Sequence, residues 1–449
     1  MRKLEKHGQI IAQVATGGGK SRIARLAYAR LNRPTLFLTT RGILMYQMKD
    51  AFEHDLKVPC SVLGDGQFGS MDDDGHRSIK RMSVGMVQTL MSRLEQSTIE
   101  KQFERLFESK SKANDKVIAA QRKAGVSKTV LANLIDKHSK QMTAAAKPMM
   151  AEATKRHREQ VAIREQTIRL LAIFEFVILE EAHESSGNSF FEVLRHCKNA
   201  NYRLALTGTP FMKDDEEANM RLMASSGPIA IKVSEKLLID RGILATPIFK
   251  IVDLKTSPPK LHRSSPWDAA YRIGIVDNVE RNLHIADEVV RASSYGLSSM
   301  VLTQHKRHGD ILLDLFEAKG LRAEYIQGAD DQTERKKALY KLATNQIDVL
   351  IGTTILDVGV DVPAVGLIVL AGGGKAEVAL RQRIGRGLRC KKRGPNIAFV
   401  IDFNDPFNNH TKNHANQRKQ IITDTEGFGE NIVPRDFDFR ALGFERKVA

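Results

Sequence analysis

Seven residues near the start of the chain have the types and spacing to hold a phosphate chain. Ala15-Thr16-Gly17-Gly18-Gly19-Lys20-Ser21 sits between the apolar run Ile10-Ile11-Ala12-Gln13-Val14 and a helix-like stretch. Glycines let backbone N–H groups approach phosphate oxygens, and a helix N-terminus adds positive potential. In such a loop Gly17, Gly18 and Gly19 cradle the phosphates of ATP, Lys20 reaches the β- and γ-phosphates, and the Ser21 hydroxyl coordinates Mg²⁺. The generic pattern has a further Gly where this chain has Val14. A second constellation is Val177-Ile178-Leu179-Glu180-Glu181-Ala182-His183. Nucleotide hydrolysis needs one acid for Mg²⁺ and one to orient the attacking water. Glu180 and Glu181, at the C-terminal end of a strand, can reach the loop's crevice. The plain alternative is a charged helix start, since carboxylates favour helix N-termini.

These residues need a scaffold of strands whose ends share one edge. Further strand candidates are Thr35–Leu38, Tyr202–Leu206, Ser299–Leu302, Asp348–Ile351, Gly366–Leu370 and Asn396–Ile401. β-branched runs separated by helix-length segments predict an α/β fold with parallel sheets. Residues 95–170 break the pattern, with almost no Gly or Pro and amphipathic spacing at Ile99, Phe103, Leu106 and Phe107. They predict an inserted helical hairpin or small bundle, with breaks at Ala124–Ser127 and at Lys147-Pro148. The insert holds 16 basic and 9 acidic residues. A boundary falls near 235–250, giving a first unit over 1–245 and a second over 246–449.

The chain has 449 residues, with 69 Lys and Arg against 53 Asp and Glu, a net charge of +16. This excess points to a polyanionic partner, nucleic acid before a membrane surface. No apolar run is long enough to span a membrane, and the N-terminus lacks a signal-peptide core. Cys60, Cys197 and Cys390 lack disulfide or metal-ligand spacing and read as packing residues in a reducing, cytoplasmic compartment. For a phage-encoded protein that is the host cytoplasm.

Glu180-Glu181-Ala182-His183 resembles the Asp-Glu-Ala-His box of superfamily 2 helicases and translocases, and further blocks follow the family order. They are Leu38-Thr39-Thr40-Arg41, Val87-Gln88-Thr89-Leu90, Leu206-Thr207-Gly208-Thr209-Pro210, Ile351-Gly352-Thr353-Thr354 continuing to Gly359-Val360-Asp361, and Gln382-Arg383-Ile384-Gly385-Arg386-Gly387-Leu388-Arg389. The flavour is that of phage recombination and repair helicases. The resemblance implies two tandem RecA-like domains that sandwich ATP. Lys20, Ser21, Glu180 (on Mg²⁺) and Glu181 would come from the first, and Arg386 and Arg389 from the second as arginine fingers. Gly359, Asp361 and Gln382 would also contact nucleotide. His183, Thr207 and Thr209 would couple hydrolysis to movement. Arg41, Gly64, Thr89, Thr303, His305 and Thr353 would touch the nucleic-acid backbone.

Some residues depart from the family. Glu180 stands for the usual Asp, Thr40 for a common Pro, and Val358 for a frequent acid. About a dozen residues precede the loop, with no room for the family's adenine-recognition segment. That points to relaxed base selectivity or to a missing natural beginning. The expected activity is an ATP-dependent helicase acting on single-stranded, forked or branched DNA. The rivals are a duplex translocase or branch-migration motor without unwinding, and a nucleotide-gated DNA-binding module with little turnover. The insert is expected to be a solvated hairpin, a DNA-holding arm or a dock for a protein partner.

Overall fold

The computed structural model describes residues 1–71, 77–183, 188–211, 215–327, 332–352, 365–374, 384–385, 387–391, 394–434 and 436–446. Two separate sheets organise them. The first is built from β1 (Gln9–Val14), β2 (Thr35–Thr39), β3 (Cys60–Gly64), β4 (Gln67–Phe68), β7 (Met82–Met86), β8 (Phe176–Glu180), β9 (Tyr202–Thr207) and β10 (Ile229–Val233). Between them β5 (Ser70–Met71) and β6 (Arg77–Ser78) form a small ribbon of their own. The strand order is β10-β1-β9-β8-β2-β7-β3-β4. Every pair is parallel except β3 with β4.

Parallel strands buried on both faces need apolar side chains on both, and these strands supply them. Ile11, Leu36, Leu38, Val177, Leu179 and Ala205 pack in one core cluster, and Ile10, Ala12, Phe37, Phe176, Ile178 and Leu204 in another. The alternation along each strand assigns these sets to opposite faces. The helices on this sheet include α1 (Arg2–His7), α2 (Lys20–Leu31), α3 (Gly42–Leu56), α4 (Val87–Leu94) and, beyond the insert, α7 (Asn188–His196).

The second sheet begins 13 residues after the first ends, with β11 (Thr246–Asp253). It continues with β12 (Ser299–Leu302), β13 (Ala323–Ile326), β14 (Val349–Gly352), β15 (Leu367–Val369), β16 (Ile397–Asn404) and β17 (Ile432–Val433). Its order is β13-β14-β12-β15-β16-β11-β17, and all pairs are parallel.

A buried ionic cluster fixes the segment after β15. Arg281, fully buried, donates to Asp405 and, at 3.0 Å, to the Ala371 carbonyl. Arg418 pairs with Asp402 at 2.9 Å and donates to the Gly374 carbonyl, also at 2.9 Å. Tyr271 and Gln304 donate to the carbonyls of Gly372 and Gly373. Each buried cation thus has a carboxylate, without which its desolvation would be strongly unfavourable.

The insert is two helices, α5 (Ile99–Lys123) and α6 (Lys128–Leu171). Thr98 caps α5 by accepting from the Lys101 N–H, and Ser127 caps α6 by accepting from the Val130 N–H. Gly125 takes φ +75° in the turn between them. The second expected break is absent, because α6 runs through Pro148. Packing decides against the break: Ala145, Met149 and Ala153 are buried on either side of the proline.

Among the described residues no helix is long and apolar enough to cross a membrane. Cys60 and Cys197 are buried, and burial pushes both thiols up to about 12. Cys390 is exposed, so its expected packing role does not hold.

Candidate nucleotide site and nucleic-acid face

The glycine loop connects β1 to α2. Gly19 caps α2 at φ +83°, and Gly17 has the same φ, a region that side-chain-bearing residues avoid. A Cβ on Gly18 would stand 2.6 Å from Val14 Cγ1 and 2.9 Å from the Ala15 carbonyl oxygen. The loop therefore keeps its backbone bare where the N-terminus of a 12-residue helix opens. This is the cradle that nucleotide phosphates require.

β9 lies between β1 and β8, so the loop and the acidic box leave strand ends about 10 Å apart, two strand spacings. Lys20 and Glu181 span that gap, with Nζ 3.6 Å from Oε1 and both side chains 11% exposed. Glu181 takes φ +50°, a left-handed conformation uncommon for a residue with a side chain. It turns the chain immediately after β8. Glu180 is the last residue of β8 and is buried. Among the described residues no group of three or more His, Cys, Asp or Glu could hold a metal ion. Mg²⁺ in nucleotide sites is held differently, by one or two carboxylates plus phosphate oxygens, and Ser21 with Glu180 is that kind of donor set.

His183 extends the chain of contacts to the next strand. Its Nδ1 lies 3.5 Å from Glu181 Oε2 and shares a 3.0 Å hydrogen bond with Thr207 Oγ1. Thr207 ends β9 and accepts in turn from the Thr209 N–H at 3.2 Å. Lys20, Glu181, His183, Thr207 and Thr209 thus form one connected series across three adjacent strand ends.

The second sheet meets the glycine loop directly. A Cβ on Gly385 would fall 2.8 Å from Thr16 Cβ, and one on Gly17 would fall 2.8 Å from Leu244 Cδ2. Leu244 also bridges by its backbone to Arg389, which is exposed. Ala15 and Leu244 join Ile368, Ile384 and Leu388 in one apolar cluster. Leu244 was not among the expected site residues, because the short apolar run Ile243-Leu244-Ala245 carries no signal of what it will cover. Gly359, Asp361, Gln382, Arg386 and Thr353 lie outside the described residues.

The expected nucleic-acid residues divide into several settings. Arg41 caps α3, and its N–H donates to Thr39 Oγ1 at 3.3 Å. Thr89 is half-buried on α4, and Gly64 ends β3, packed against Met45 and Met86. Thr303 departs from expectation. It is 1% exposed, its N–H donates to the Gly352 carbonyl at 2.9 Å, and its side chain has no surface to offer a strand. His305, which caps the helix Lys306–Ala318, is exposed. It lines a pocket of about 420 Å³ with Trp267, Tyr271, Arg272, Gln304 and Arg307. Trp267 packs against His414 at 4.5 Å and Tyr271 at 5.2 Å between ring centroids.

Comparison with known proteins agrees with this architecture. The family "Type III restriction enzyme, res subunit" matches residues 1–212, and "Helicase conserved C-terminal domain" matches residues 281–391. The ATP-dependent DNA helicase uvsW of Enterobacteria phage T4 is 25% identical over 254 residues, covering 56% of this chain and 49% of uvsW. S. cerevisiae Dbp5 bound to RNA and ADP BeF3 superposes with a TM-score of 0.52 at 14% identity, covering 95% of this chain and 85% of that one. Mycobacterium smegmatis helicase Lhr bound to ssDNA and AMP-PNP gives 0.53 at 13% identity, covering 94% and 46%. These structures share the fold of two tandem RecA-like domains. The chain spans less than half the length of the curated relatives it matches, 22–49%. With both halves matched in this order, the chain belongs to superfamily 2 of the helicases and translocases.

Proposed function

We propose that the chain is a nucleic-acid-stimulated ATPase that couples hydrolysis to translocation along, or remodelling of, DNA. The observation that carries this reading is the connected series from Lys20 through Glu181 and His183 to Thr207, facing Thr16 and Gly17 where Gly385 and Leu244 close on them. In it, Gly17–Gly19 and Lys20 bind the phosphates, and Ser21 with Glu180 holds Mg²⁺. The metal supplies charge neutralisation on the phosphoryl oxygens. Glu181 orients the attacking water and accepts its proton. Arg386 and Arg389 are the proposed arginine fingers of the second domain, and fingers of this kind are worth on the order of 10³–10⁵ in rate. Because they come from another domain, hydrolysis depends on closure, and closure is motion.

His183 and Thr207 join the water-positioning acid to the segment after β9, a direct route by which hydrolysis can shift that segment. Arg41, Thr89 and His305 are the proposed contacts to the phosphate backbone. The choice of DNA is supported by the restriction-enzyme family match over the first half and by the DNA helicase uvsW, and it is set against the RNA helicase dbp10, also among the relatives. The test is ATP hydrolysis by wild type and Lys20→Ala, each without nucleic acid, with DNA and with RNA. The expected result is a DNA-stimulated rate in wild type that Lys20→Ala loses. A wild-type rate that no nucleic acid raises above that of Lys20→Ala would contradict the reading.

A further inference from the structure

The seven surplus positive charges of the insert are not spread along it. Residues 110–147 carry nine basic residues against two acids, Asp115 and Asp136. The rest of the insert, 95–109 with 148–170, carries seven basic and seven acidic residues. Because α5 and α6 form a hairpin that turns at 124–127, the charged segment is the distal part of the arm, reaching down α6 to Lys147, about level with Arg105.

The two parts also differ in how their cations are used. At the root, Lys101 and Arg105 share Glu95 at 3.0 and 2.7 Å, Arg156 pairs with Glu152 at 2.7 Å, and Arg164 donates to the Leu94 carbonyl at 3.1 Å. In the distal part, Lys112, Lys116 and Lys123 fall within an arc of about 40° on α5, and Lys137, Lys140 and Lys147 within about 80° on α6, at 3.6 residues per turn. All six are exposed. Only Lys112 and Lys140 have a carboxylate within ion-pair distance among the described residues, Glu108 at 3.0 Å and Asp136 at 2.6 Å. Like charges one turn apart, such as Lys112 and Lys116, destabilise a helix. A hairpin needed only for solubility would mix its charges, as the root does.

We infer that the distal part of this arm is a docking surface for the phosphate backbone of duplex DNA. Each lysine stripe is about 16 Å long at 1.5 Å per residue. Duplex DNA presents one phosphate charge per about 1.7 Å, so three lysines face more phosphates than they can neutralise. The 25 residues of α5 carry the tip about 37 Å from its root. A duplex holds its course over such a distance, since its persistence length is about 50 nm. The inference takes its choice of ligand from the motor reading above, and the arm would hold duplex beside the motor.

The test is the affinity of the full chain for a blunt DNA duplex, and for a single strand of the same sequence, over a series of salt concentrations. One variant combines Lys112→Gln, Lys116→Gln and Lys123→Gln, and a second combines Lys137→Gln, Lys140→Gln and Lys147→Gln. Gln is close to Lys in helix propensity, so both arms should fold, and circular dichroism checks it. A root control combines Lys101→Gln and Arg105→Gln. At least one distal variant is expected to bind duplex more weakly, with its log–log salt slope flattened by up to about 2.7, or 0.9 per lost phosphate contact. The root control is expected to keep the wild-type slope. Unchanged slopes in both distal variants, an equal change in the root control, or a change seen only with the single strand would overturn the inference. If the distal slopes flatten while wild type shows no nucleic-acid-stimulated hydrolysis, the arm stands and the motor reading falls.

Discussion

Glu181 is the residue on which most of the site's geometry converges. It meets Lys20 at 3.6 Å on one side and His183 at 3.5 Å on the other, and its backbone takes φ +50°. If it positions the water and accepts a proton, Glu181→Gln keeps the shape and removes the base. The expected loss is on the order of 10²–10⁴ in hydrolysis rate, the usual worth of a positioned base. Nucleotide affinity should stay near wild type, since the phosphates are held by the loop. Parallel rate and binding measurements check this, and a rate within a few-fold of wild type would remove Glu181 from that role. These residues were legible in the sequence because their chemistry fixes both type and spacing. Thr303 was not legible in the same way. Its motif position suggested a surface contact, but burial is set by β12 packing between β14 and β15, which no local pattern reveals.

At the scale of elements, α6 shows where local rules yield to packing. Pro148 lacks an N–H, so the Ala144 carbonyl has no helical donor, and a proline inside a helix is unfavourable by about 3 kcal/mol. The sequence therefore reads as a break, yet the helix runs through the proline and is 44 residues long in all. Ala145, Met149 and Ala153 are buried across the proline, and burial of this apolar face offsets the missing hydrogen bond. Pro148→Ala should then strengthen the arm by up to about 3 kcal/mol, seen as slower amide exchange over residues 144–152. Unchanged exchange there would mean that the proline is not a weak point. The strands at the middle of each sheet, β1, β9, β8 and β2 in the first and β14, β12, β15 and β16 in the second, were legible by contrast, while β3, β7, β10 and β13 towards the edges were not among the expected strands. Doubly buried parallel strands must be apolar along their length, and Phe176–Leu179 or Ile397–Ile401 admit few other readings.

At the scale of the whole molecule, the second domain owes part of its stability to a histidine that cannot charge. His308 is fully buried and donates from Nε2 to Asn282 Oδ1 at 3.0 Å. Burial, reinforced by Arg281 and His305, holds it down at about 3, against an unfolded value near 6.5. Its folded form resists a proton that the unfolded chain accepts, so this contribution is full above about pH 6.5. It is lost as pH falls toward about 3, at about 1.4 kcal/mol per pH unit. Denaturant melts between pH 7 and 4 should show wild type losing more stability than His308→Gln, and equal pH profiles would contradict it. The meeting of the two domains at Thr16, Gly17, Leu244 and Gly385 was beyond sequence reasoning, because it joins residues more than 200 positions apart. In the proposed function it is the contact through which hydrolysis at the loop would act on the second domain, as a motor requires and a nucleotide-binding clamp does not. The most direct test is ATP-dependent displacement of a strand from a forked DNA and of a third strand from a triplex, by wild type and Lys20→Ala. Wild type is expected to displace at least one of them, only with ATP, and Lys20→Ala to displace neither. Wild-type protein that binds both substrates and ATP yet displaces neither would contradict the proposed function.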